Sequence, residues 1–77
     1  MTEQETLAEE LLVSDPLFRR LHDEHQDCER QLEQIHQRSF LSQEDEANEK
    51  RLKRHKLTLK DHMFAILRDH REHHVSV

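Results

Sequence analysis

Phe18, Leu21, His25, Cys28, Leu32 and Ile35 recur at alternating steps of three and four residues. An α-helix brings such positions to one side, and a stripe this narrow is the seam that one helix turns toward another. Leu52, Lys56, Leu59, Met63, Ile66 and His70 repeat the pattern further along. Two long segments with such seams predict an all-α fold, a long antiparallel two-helix hairpin of coiled-coil character. The chain has no glycine. Tight β-hairpins need residues that tolerate positive φ, so the strand alternative closes, and glycine-rich phosphate cradles are excluded with it.

Punctuation sets the expected boundaries. Thr2 with Glu5 resembles a capping box, and Leu7, Leu11 and Leu12 then share a face, which predicts a short helix over about 2–13. Ser14-Asp15-Pro16 ends it. Asp15 suits an N-cap and Pro16 a first helical position, where no N–H is needed. The first long helix is expected over about 16–38, with a turn at Ser39-Phe40-Leu41. Ser42 is placed to cap the second, over about 43–69, with Asp45 three residues on and Glu44, Asp45 and Glu46 near its positive end. Residues 70–77 read as a frayed tail, and the whole chain, 1–77, as a single small domain. A turn centred on Phe40-Leu41 would set His25 opposite Lys56 and Cys28 opposite Lys53.

The core is thin for the length. The 77 residues are 38% charged and 32% hydrophobic, with a mean hydropathy of −1.10. A domain below about 70–80 residues often needs a staple or a partner, and one cysteine cannot close an internal disulfide. Self-association is the natural remedy, with a dimer the simplest form. Leu57, Phe64 and Leu67 lie off the second seam as another apolar strip. That strip needs a cover, either the N-terminal helix or another chain, and it is the expected interaction surface.

The formal charge is −5. Residues 1–38 hold ten Asp/Glu against four Lys/Arg, and residues 39–77 hold seven against eight, so a hairpin lays an acidic helix beside a more basic one. No stretch is long and apolar enough to span a membrane. The acidic N-terminus lacks the basic and apolar regions of a signal peptide, and a lone cysteine fits a reducing cytoplasm.

Phe18, Leu21, Glu24-His25 and Leu32 in the first segment make the chain similar to the YdcH-like family of small bacterial proteins. Leu52-Lys53, Lys56-Leu57, Leu59-Lys60-Asp61, Met63 and Ile66-Leu67 do so in the second. The resemblance spans roughly residues 14–67, and Lys56-Leu57-Thr58-Leu59-Lys60-Asp61 is its most specific stretch. It implies a helical hairpin with coiled-coil character and no established activity. The chain departs from the family pattern at Cys28, where leucine is typical, and at His62, where an acidic residue is typical. His55 is not a usual family feature.

Few residues suggest chemistry. His25, Cys28 and His55 are a candidate three-ligand zinc site, since His25 and Cys28 share a helical face and His55 lies at the edge of the same layer. A simpler reading pairs His25 with a carboxylate such as Glu24 or Glu29 and packs Cys28 as a small hydrophobe. His70, His73 and His74 stand at i, i+3 and i+4 and form a second candidate metal cluster, weighed against a solvated tail. His55, His62 and His73 lie along one edge of the second helix, where protonation would loosen an interface near pH ~6. Lys50, Arg51, Lys53, Arg54, Lys56 and Lys60 are a basic run able to meet phosphates. Net acidity, the lack of tyrosine and tryptophan, and the glutamates of the first helix weigh against nucleic acid.

Catalysis finds no support. No paired carboxylates mark a pocket, and a seam position buries Cys28 and makes its thiol inert. The sequence therefore predicts a non-catalytic cytoplasmic interaction and oligomerisation module, without a required cofactor, whose partner is itself or another protein. A metal- or pH-responsive regulator is the first alternative, and a weak nucleic-acid binder through residues 50–60 is the second.

Overall fold

The computed structural model describes residues 2–75, with side chains described for residues 2–72. It holds three helices, α1 (Glu3–Ser14), α2 (Pro16–His36) and α3 (Gln43–Val75), and no strand among the described residues. The all-α class read from the two seams is the class observed. At about 1.5 Å per residue, the 33 residues of α3 span about 50 Å. That one helix accounts for the long axis of a 54 × 21 × 18 Å rod.

Each helix starts where its cap places it. The Thr2 hydroxyl accepts from the Glu5 N–H at 3.2 Å. One Asp15 carboxylate oxygen accepts from the N–H groups of Leu17 at 2.9 Å and Phe18 at 3.2 Å, with Pro16 following as expected. Ser42 and Asp45 bond reciprocally. The Asp45 N–H donates to Ser42 Oγ and the Ser42 N–H donates to Asp45 Oδ2, both at 3.1 Å. The two donors freed at a helix start are thus satisfied from both sides. That Ser42 N–H, followed by the Arg38 guanidinium, holds the Asp45 carboxyl below its ordinary pKa.

Two cores hold the chain together. Leu21, Cys28, Leu32 and Ile35 of α2 meet Leu52 and Leu59 of α3, with Met63 and Ile66 packed against them. Leu11 of α1, Phe18 of α2 and Leu67 of α3 form the other, and Leu7, Ala8 and Leu12 pack onto it. Every apolar residue of the expected α2 seam is buried. On α3, Leu52 and Leu59 are buried, Lys56, Met63 and Ile66 are half-buried, and His70 is exposed.

Two expectations are corrected. First, α2 stops at His36, two residues before Arg38. The Gln37 N–H donates to the Glu33 carbonyl and the Arg38 N–H to the Ile35 carbonyl, which tightens the last turn without a glycine. The loop then folds back, with Leu41 packing on the α2–α3 core and Arg38 paired with Asp45.

Lys56, expected opposite His25, acts on His25 electrostatically, and its Nζ also reaches Glu29, about one helical turn further along α2, at 3.2 Å. His36 meets Glu49 at 2.7 Å in the same register. Partner numbers on α3 fall as numbers on α2 rise.

Second, α3 runs to Val75 rather than ending at Asp69, so residues 70–75 are helical and not a frayed tail. No glycine or proline interrupts this segment. His70 Nε2 also lies 3.7 Å from Asp15 Oδ2, which ties the last turns of α3 to the α1–α2 junction.

Candidate interaction surface

The off-seam strip of α3 divides in two. Leu67 is only 8% exposed, because α1 folds over it with Leu11. Its place in the expected interaction surface is therefore corrected: the N-terminal helix covers it. Leu57 and Phe64 stay exposed, at 59% and 49%. They stand seven residues apart, two helical turns, and so lie on one side of α3. Phe64 lines a groove of ≈ 890 Å³ between α1 and α3, with Leu7, Leu11 and Ala65 also in its lining. Leu57 lines a shallower groove between α2 and α3 beside Lys53, Lys56 and Lys60.

The sequence reading missed the α1–α3 groove. Its signal was present in the pair Leu11 and Phe18, which stand seven apart across the Asp15-Pro16 break and meet once α1 folds back. Val13, Leu17 and Phe40 are further exposed apolar side chains that the seams did not single out.

The candidate metal residues are not brought together. Cys28 and His55 share a groove, but His25 is not among its lining residues. Among the described residues, no group of three His, Cys, Asp or Glu is arranged to hold a metal ion. His25 instead lies within electrostatic reach of Lys56 and Lys60 of α3. Cys28 is a free, buried thiol. Burial, then the charges of Asp27 and Glu24, push its pKa up, which suits packing and not nucleophilic attack. In the second cluster, His70 is exposed beside Asp15, and the side chains of His73 and His74 lie outside the described residues. His55 and His62 are exposed on α3. Within the basic run, Lys56 pairs with Glu29 and Lys53 with Glu49 of its own helix.

Among the described residues, His22 and His25 each keep a buried ring nitrogen without a hydrogen-bond partner, and His25 is the more buried of the two. Its Nδ1 stands 4.0 Å from Glu29 Oε1, too far for a hydrogen bond, and its Nε2 is buried with no hydrogen-bond partner. Burial lowers its pKa, Glu29 opposes this, and Lys56, Lys60 and His22 add to it. The folded chain therefore resists a proton that the unfolded chain accepts near pH ~6.5. Stability is expected to fall as the pH drops below that value toward the depressed folded pKa. Denaturant midpoints of the wild type and His25→Leu, compared at neutral and mildly acidic pH, check this. The variant should lose less stability on acidification, and an equal loss in both chains would contradict the assignment.

Residues 18–67, about two-thirds of the chain, match the model of a family described as Protein of unknown function (DUF465). The chain belongs to the DUF465 family. The YdcH-like resemblance agrees with this, YdcH being a DUF465 protein. No curated protein and no solved structure matches this DUF465 chain. The match begins at Phe18 and ends at Leu67, the two α2 and α3 residues that α1 joins through Leu11. In this DUF465 chain the groove is thus built partly from α1, which precedes the matched region.

Proposed function

We propose that this chain is a non-catalytic protein-interaction and self-association module of the cytoplasm, in which α2 and α3 pair as an antiparallel, coiled-coil-like hairpin. The observation that carries the reading is the joint exposure of Leu57 and Phe64 on one side of α3. Each apolar side chain withdrawn from water favours association at about 25 cal/mol per Å², and the folded chain leaves these two uncovered. The hairpin core supports a scaffold role, since Leu52 and Leu59 point into α2 and leave the other side of α3 free to meet a partner. A free, buried cysteine supports a reducing compartment.

The test is Phe64→Asp. Phe64 is half exposed and belongs to neither core, so helicity by circular dichroism should stay at the wild-type level. Association should weaken by about 2 kcal/mol or more, the size expected of an aromatic at the centre of an interface. A wild type that associates and a variant that associates equally well would refute the assignment of this surface.

A further inference from the structure

We propose that two copies of this chain dock through their α1–α3 grooves about a two-fold axis, with the charged ends of one groove laid on the opposite ends of the other. The proposal rests on the reading that the Phe64 surface meets another chain, and it names the partner and the geometry. Asp15 reaches His70, and one turn earlier on both helices Leu11 packs with Leu67. Helices α1 and α3 therefore rise in the same direction, and the groove between them has two distinct ends. Glu3 and Asp61 line the lower end, while Arg68 and Arg71 line the upper, outnumbering Glu10 across from them on α1. Phe64 lies between them, half exposed. The acidic wall continues along α1, which carries Glu3, Glu5, Glu9 and Glu10 and no Lys or Arg.

The charge pattern selects the occupant. An acidic partner meets Arg68 and Arg71 but is repelled by Glu3 and Asp61, and a basic partner meets the reverse. A second copy turned end for end matches both. Its Glu3 and Asp61 lie on Arg68 and Arg71, the two-fold repeats the match, and the two Phe64 rings meet near the axis. Such self-complementarity is what an isologous contact requires.

Sedimentation equilibrium on two charge variants and their mixture tests it. Arg68→Glu/Arg71→Glu makes both ends acidic, and Glu3→Lys/Asp61→Lys makes both ends basic. All four positions are exposed, and circular dichroism verifies that the helices persist. Alone, each variant should dimerise at least about tenfold more weakly than wild type, as the loss of several exposed pairs implies. Mixed in equal amounts, the two should recover wild-type affinity as a heterodimer. The wild-type dimer should also weaken between about 0.1 M and 1 M salt, as the screening length falls from about 10 Å to about 3 Å. Variants that dimerise like wild type, or a mixture no tighter than its parts, overturn the groove geometry. In that case, loss of association in Phe64→Asp would leave the broader reading standing, and its persistence would remove both. A wild type that stays monomeric refutes self-docking outright.

Discussion

Phe18→Ala is expected to cost about 3–5 kcal/mol, the range for removing a buried phenylalanine. Phe18 is 1% exposed and the one fully buried large side chain among the described residues. It touches both other helices through Leu11 and Leu67, so its removal opens a cavity where all three meet. The site cannot collapse easily, because the Asp15 cap fixes the backbone on its N-terminal side. A chain of 77 residues has a total stability of roughly 4–12 kcal/mol at 0.05–0.15 kcal/mol per residue. The substitution thus removes a large share of it. The thermal midpoint should drop by at least about 12 °C at fixed protein concentration. Leu17→Ala, at the exposed neighbouring position, should stay within about 0.5 kcal/mol of wild type. Equal effects at the two positions would mean that α1 is not packed over this end of α2 and α3.

The second large effect is expected at Leu59. It is 4% exposed and sits in the core that joins α2 to α3, with Leu32, Cys28 and Leu52. Leu59→Ala should cost about 2–5 kcal/mol. Leu57 lies two residues away, about 200° around the helix, and faces solvent. Leu57→Ala should leave the unfolding midpoint of the monomer nearly unchanged and act on association instead. Chemical denaturation of both variants, at a concentration low enough to dissociate the chain, separates the two roles. A larger loss at Leu57 than at Leu59 would show that the seam runs along the other side of α3.

Much of this architecture is legible in the sequence because each helix carries its own instructions. The steps of three and four fix which side of α2 is buried, and Asp15, Pro16, Ser42 and Asp45 fix where helices begin. Starts are easier to read than ends here. Without glycine, α2 closes through a tightened last turn at Gln37 and Arg38, which leaves no residue-type signal. Leu41 and the Arg38–Asp45 pair then secure the loop through contacts that no helical period encodes.

The candidate site is legible only in part, for a related reason. The strip of Leu57, Phe64 and Leu67 follows from the helical period, but its division depends on where α1 lies. Leu11 covers Leu67 and leaves Phe64 at a groove edge. The histidines show the converse. Eight in 77 residues suggest metal or pH chemistry, yet His25 lies near Lys56 and Lys60 and does not join Cys28 and His55 in their groove. Burial lowers the pKa of the His25 ring, and the expected consequence is a loss of stability in mild acid.

The measurement that bears most directly on the proposed role is site-specific photo-crosslinking, with a photoreactive phenylalanine analogue placed at position 64. A matched control carries it at position 30, where Arg30 is exposed on α2. Irradiation of the concentrated purified protein should give a covalent dimer through position 64 and little through position 30. Crosslinking through position 30 with none through position 64 would contradict the interaction surface assigned to α3.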